Sequence, residues 1–298
     1  MKIQLPSFTT KGELLAYLIA NKEDLAELKK SELKRADAFG FAVTDGVVTK
    51  DATAGSSDTD SEILRTIVGN TYFWMDSHDD VHLANCFAKS ISERKNKVWH
   101  LHDHLHQITA KVGIPQKIYE AYIDWTRLGV NKAGQTQALL ADTLIQKELN
   151  PQVFKGYKDG EINQHSVGMQ YVKIELCVND PEYKQEFANW QACIDLVGNR
   201  EKAEEKGYFW AVKEAKLIEI SCVLEGSNEL TRTLPVEGKN ADNEPDNSVF
   251  ILTIDDGKIK RKNEGQENRT PEEPLQSTPS EPQAKFDLSD AIKNTTFF

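Results

Sequence analysis

Six of the ten prolines, Pro235, Pro245, Pro271, Pro274, Pro279 and Pro282, fall after residue 234, among Glu, Asn, Ser and Thr. Proline has no backbone donor and its ring is excluded from helix and ladder interiors, and such a polar segment buries too little to order itself. The packed part of the chain must therefore come before it. One interruption, Val249 to Ile254 followed by Asp255-Asp256-Gly257-Lys258, reads as a short strand and turn of a small hairpin. Apolar residues return at Phe286, Leu288, Ile292, Phe297 and Phe298, a tip suited either to docking on a partner or to folding back as a short helix. The chain is 39% hydrophobic and 28% charged, more polar than 298 packed residues would be, and this tail accounts for much of the excess.

Charge and pattern exclude several classes. With 36 basic and 47 acidic residues the net charge is −11, and no concentrated basic patch is present, so neither nucleic acid nor anionic membrane is expected as a partner. No apolar run approaches the roughly 18 residues of a membrane span, and the first residues lack a signal-peptide core, which together predict a soluble chain made for the cytoplasm. Cys86, Cys177, Cys193 and Cys222 are scattered with no CxxC pair, the pattern of reduced, buried thiols rather than a disulfide frame or a thiolate zinc site. No cofactor is expected.

The chain divides into a helical extension over 1–40, a linker over 41–62, a main domain over 63–230 and an acidic, Pro-rich tail over 231–298. Thr9 or Thr10 can cap a helix or helix pair running to about residue 37, with Leu14, Leu15, Leu18, Leu25 and Leu28 at helical spacing. A Gly/Ser/Thr/Asp-rich stretch over 44–61 follows. In the main domain the pattern predicts strands over 63–74, 97–101, 108–112, 164–178, 208–212 and 216–224. It predicts helices over 116–128, 135–148 (closed by Asn150-Pro151) and 181–197. Strands separated by single helices without a regular βαβ repeat indicate an α+β domain on a mostly antiparallel or mixed sheet or barrel.

All seven histidines lie between His78 and His165, and His100, His102, His104 and His106 alternate. In an extended segment alternate residues share a face, so these four could converge. One reading is a metal-dependent hydrolase that takes two or three of these imidazoles with Asp103, Asp79 or Asp80 as ligands. The spacing resembles the H-x-H-x-D-H of metallo-β-lactamase-type hydrolases but misses by one position, because Asp103 directly follows His102. The second reading needs a single histidine as general base for a serine, oriented by a third group. Ser166 stands out among the serines, in His165-Ser166-Val167-Gly168 at the start of an apolar strand, and Gly168 permits close approach of substrate or backbone. Glu219 lies inside the apolar run Leu217-Ile218-Glu219-Ile220-Ser221-Cys222-Val223, where a buried carboxylate requires a partner.

Three ordered segments resemble signatures of the caudoviral prohead serine proteases, the tailed-phage capsid-maturation enzymes whose fold is similar to the herpesvirus assemblins. Asp76 to Phe87 resembles the family's D-x-x-G-D-V-x-x-x-G-A-F, with Asp79 and Asn85 standing where the family has its two glycines. Trp99-His100-Leu101-His102-Asp103, with Ile108 following, resembles its hydrophobic-x-H-D-x-x-x-x-I-G. His165 to Met169 and Leu217 to Val223 resemble its L-S-I-G-F and L-x-E-V-S-L-V. Carried over by position, the resemblance implies Ser166 as nucleophile, His102 as general base and Glu219 as the group orienting it, with His104 as reserve base and His165 shaping the pocket. It further implies an endopeptidase that processes major capsid and scaffolding proteins, and itself, inside the assembling prohead in the host cytoplasm, and it allows a homodimer. An inactive capsid-associated scaffold protein that keeps the protease fold is the alternative outside catalysis.

Overall fold

A computed structural model describes residues 5–31 and 58–234, with the backbone of two further strands at 251–255 and 258–262. Helices α1 (Lys11–Ala20) and α2 (Lys22–Ser31) come first. Thr10 starts α1 through a capping box, its side chain accepting from the Glu13 amide while the Glu13 carboxylate accepts from the Thr10 amide. Then follow β1 (Glu62–Thr71), β2 (Asp80–His82), α3 (Ala88–Arg94), β3 (His100–His102), β4 (Lys111–Asp124), β5 (Gln135–Gln146) and α4 (Pro151–Lys158). The remainder is β6 (His165–Val178), α5 (Lys184–Cys193), α6 (Arg200–Lys206), β7 (Tyr208–Cys222) and β8 (Thr233–Leu234), with a hairpin of β9 (Ile251–Asp255) and β10 (Lys258–Lys262).

The fold is α+β, on an eight-stranded mixed sheet in the order β2-β7-β3-β4-β5-β1-β8, with β6 along the other side of β7. Only β2 and β3 run parallel to β7; the remaining pairs are antiparallel. β7 is therefore the organising strand, bonded to β2 at Trp210–Val212, to β3 at Ile220–Cys222, and to β6 along most of its length.

Two segments expected as helices are strands. Residues 116–128 belong mostly to β4 and 135–148 mostly to β5. β5 lies between β1 and β4, so Thr136 to Ala141 are buried on both faces and show no polar alternation. A run of Ala and Leu covered on both sides cannot be distinguished from a buried helix by periodicity, and the pairing on both edges overrides its helix propensity. Asn150-Pro151 opens a helix rather than closing one: the Asn150 side chain accepts from the Val153 amide and Pro151 takes the first turn of α4. The two strands expected over 208–212 and 216–224 form the single strand β7. The strand expected over 108–112 starts as a turn of 3-10 helix at Ile108–Ala110.

The helical extension is integral to the body. Leu15, Leu18 and Leu25 are buried in the core that contains Val167, Met169, Tyr171 and Leu217. Lys11 Nζ donates to the Glu204 and Glu205 carbonyls at the end of α6, each at 3.1 Å, and Lys22 pairs with Glu186 at 2.8 Å. At the other end the sheet continues to Leu234, where β8 pairs with Thr66 and Ile67 of β1. All four cysteines are buried and unpaired. Most of the expected linker and the apolar tip at 286–298 lie outside the described residues.

Candidate functional site

The site is built where β3 ends against β7. β3 stops at His102, and the next two residues, Asp103 and His104, have φ of +50° and +55°. Two consecutive left-handed residues end the period-two alternation of an extended segment, so the four clustered histidines do not share a face. His102 stays partly exposed, with Nδ1 3.2 Å from the Asp103 carboxylate. His104 turns inward to 5% exposure, and its Nδ1 lies 2.5 Å from Glu219 Oε1. The expectation that Glu219 orients His102 is thus corrected on geometry: the histidine joined to Glu219 is His104, because the chain turns before reaching it. Nδ1 donating to a carboxylate leaves Nε2 with its lone pair, the tautomer a general base requires.

Strand register brings the serine to the same face. Ser166 lies opposite Ser221, and Gly168 opposite Glu219. Directly opposed residues in an antiparallel pair project to one side, so Ser166, Gly168, Glu219 and Ser221 form one surface. The next partners are Met169 and Leu217, which leaves Ile218 as an extra residue in β7. This bulge separates two faces that simple alternation would merge, with Leu217 in the apolar core beside Met169 and Glu219 on the polar side. Gly168 is required by a close approach, since a Cβ there would collide with the Glu219 carboxylate. Ser166 is 6% exposed and Glu219 1%. Both Glu219 oxygens are satisfied, Oε1 by His104 and Oε2 by the Ser221 hydroxyl at 2.6 Å.

Two other histidines are committed elsewhere. His165 Nδ1 lies 3.4 Å from the Thr231 carbonyl, which can only accept, so this nitrogen carries the proton and Nε2 accepts from the Tyr157 hydroxyl at 2.8 Å. Tyr157 oxygen then accepts from His100 Nε2 at 3.1 Å, and His100 Nδ1 accepts from the Thr143 hydroxyl at 3.1 Å. The chain of donors from Thr143 to Thr231 is continuous with both rings neutral. Burial lowers the pKa of His100 and takes His165 down to about 4. His165 therefore anchors the start of β6 beside Ser166, and His106 is exposed. The histidine run does not converge as the metal reading required.

A second polar group lies under the helical extension. Asp76, His78 and Asp80 bring ligand-type atoms within 4.8 Å of one another, all buried. Lys29 of α2 enters it, with Nζ 2.5 Å from Asp80 Oδ1 and 3.3 Å from the His78 carbonyl, while the Tyr171 hydroxyl donates to Asp80 Oδ2 at 2.7 Å. The Lys29 ammonium pairs with the Asp80 carboxylate. Burial, and then the Asp80 charge, push the Asp76 carboxyl up to about 8, so it holds its proton at neutral pH. Asp79, at φ +61°, turns the other way to Lys206 at 2.8 Å and the Tyr208 hydroxyl at 3.0 Å. Sequence reasoning missed Lys29, whose helix it treated as a separate extension. It also gave Ser221 no role, although the E-x-S spacing on a strand was a signal that Glu219 and Ser221 share a face.

No family model matches this chain, and searches of curated proteins and of solved structures return no significant match.

Proposed function

We propose that this protein is a serine endopeptidase in which Ser166 is the nucleophile, His104 the general base and Glu219 the group that orients it. The observation that carries the reading is the buried His104–Glu219 pair, 2.5 Å between Nδ1 and Oε1, on the sheet face that Ser166 shares. In this mechanism Ser166 Oγ attacks the scissile carbonyl as His104 Nε2 takes its proton. His104 then returns the proton to the leaving amine, and water repeats the sequence on the acyl-enzyme. Glu219 keeps the imidazole in the correct tautomer and stabilises the imidazolium that forms. Position-by-position carry-over assigns the base to His102; the hydrogen bond to Glu219 favours His104, two residues on.

Resemblance to the caudoviral prohead proteases gives the reading its substrates: major capsid and scaffolding proteins, and the chain itself, processed inside the assembling prohead in the host cytoplasm. Two departures from the family pattern are compatible with it, while Glu225-Gly226-Ser227-Asn228 after the Glu219 strand lacks the family's Pro-Ala-Asn. Asp79 and Asn85 stand where the family has glycine, and their φ values are +61° and +60°. Asp and Asn tolerate the left-handed region best after glycine, so both substitutions preserve a backbone requirement. The deciding experiment is labelling with a fluorophosphonate followed by peptide mapping. Modification at Ser166, abolished in Ser166→Ala and His104→Ala but retained in His102→Ala, is the expected result. Unchanged capsid-protein processing by Ser166→Ala would refute the nucleophile and favour the inactive scaffold.

A further inference from the structure

Glu219 and His104 are held by a third residue. Ser221, fully buried, donates its hydroxyl proton to Glu219 Oε2 at 2.6 Å, and Ser221 Oγ itself accepts from the backbone N–H of His104 at 3.2 Å. With the His104 Nδ1 to Glu219 Oε1 bond this closes a ring of three hydrogen bonds through one serine, one carboxylate and one histidine. Each group is used consistently: the hydroxyl has one proton and gives it to the carboxylate, the amide gives its proton to the hydroxyl, and the imidazole gives its Nδ1 proton to the other carboxylate oxygen.

We infer that Ser221 is the positioning residue of the proposed Ser166 site, an inference that rests on that reading. Two features of the fold call for such a residue. A buried carboxylate with one oxygen unbonded would suffer the full desolvation penalty and swing towards any other donor. The loop carrying His104 also has two successive left-handed non-glycine residues, an arrangement that persists only where neighbouring bonds over-determine it. Ser221 meets both needs with one oxygen, assisted by the Asp103 amide, which donates to the Cys222 carbonyl at 3.0 Å. Its burial and its proton, already given to Glu219, remove it from contention as a second nucleophile. It acts through Glu219 and His104, and its loss should be read in the turnover step, since a misplacement of about 1 Å in a catalytic group costs roughly a hundredfold.

The test compares Ser221→Ala, Ser221→Thr and Ser221→Val in the full chain. Thr and Val have the same shape and differ by the hydroxyl, so crowding affects both while hydrogen bonding separates them. The first readout is cleavage of a processed substrate, with kcat and KM resolved. Ser221→Ala and Ser221→Val should lose roughly a hundredfold in kcat with KM within about twofold, and Ser221→Thr should recover at least tenfold over Val. The second is the downfield proton resonance of His104 Nδ1, which needs no catalysis. It should be present in the parent and in Ser166→Ala, and lost or broadened in Glu219→Gln and Ser221→Ala. A sharp resonance retained in Ser221→Ala, or equal kcat for all three variants and the parent, overturns the inference. A lost resonance in Ser221→Ala from a protein whose Ser166→Ala variant still processes substrate would leave the ring intact as structure and overturn only the catalytic reading of the site.

Discussion

Lys29→Met removes the ammonium that pairs with Asp80 under the extension while keeping most of the side chain's apolar length. Lys29 is 4% exposed and Asp80 0%, so water cannot take over the lost interaction. Breaking one partner out of such a pair strands the other charge, at a cost of about 3–5 kcal/mol. For a domain of about 200 residues each kcal/mol moves the midpoint by roughly 2–4 °C, so a fall of roughly 6–20 °C is expected. Calorimetry at pH 7 measures it, and Asp80→Asn in the same chain supplies the control. The carboxamide keeps an acceptor for the Tyr171 hydroxyl without the charge, so the double variant should return to within about 2 kcal/mol of the parent. A single variant that loses less than about 1 kcal/mol, or a double variant no better than the single, would show that the ammonium is not what neutralises Asp80. The extension would then be held by the burial of Leu15, Leu18 and Leu25 and by the Lys11 and Lys22 contacts, without help from Lys29.

Three further outcomes follow from the same geometry. The Asp76 carboxyl is raised from 3.8 to about 8, so the stability it confers is complete below 3.8 and is lost as pH rises to 8, at about 1.4 kcal/mol per unit. His82 and His165 are lowered from 6.5 to about 4 by burial and act in the opposite sense, their stabilisation intact above 6.5 and lost as pH falls to 4. Denaturant titrations across pH 4–9 should therefore place maximum stability near pH 6.5, in contrast to a flat profile. His82 has both ring nitrogens buried between Phe87 and Tyr171 without a hydrogen-bond partner among the described residues, so His82→Leu should gain about 1–3 kcal/mol at pH 7 and flatten the acid limb, read by the same titrations. Gly168→Ala should displace the Glu219 carboxylate and reduce Ser166 labelling by at least about tenfold with the sheet intact by circular dichroism.

The α+β class was legible because strand and helix signals alternate irregularly, and β1, β6 and the second half of β7 carry apolar, β-branched residues with clear ends. β5 was not, for a physical reason. A strand flanked on both edges and both faces loses the polar alternation that marks a strand, and Ala138-Leu139-Leu140-Ala141 carries the propensity of a helix. The site shows the same division. Ser166 and Glu219 were legible as polar residues inside strands made to be buried, where each must have a purpose or a partner. The choice between His102 and His104 was not, because it depends on where extended backbone ends.

That ending is hidden by residue choice. A glycine at position 103 or 104 would have announced a turn. Here Asp79, Asn85, Asp103 and His104 all adopt φ between +50° and +61° with side chains that the left-handed region admits but does not advertise. Each also contributes something a glycine could not: Asp79 pairs with Lys206, Asn85 accepts from Gln137 at 2.9 Å, Asp103 accompanies His102, and His104 meets Glu219. Replacing glycine by such a residue raises the strain of the turn and ties it to a specific partner, so the turn persists only while the partner is present. Removing Glu219 should accordingly disturb the backbone at 103 and 104, beyond the ring it holds. Amide exchange at His104, protected by the Ser221 oxygen, should accelerate in Glu219→Gln as much as in Ser221→Ala. Unchanged protection in Glu219→Gln would mean that the backbone, and not the hydrogen-bonded ring, sets the position of the imidazole.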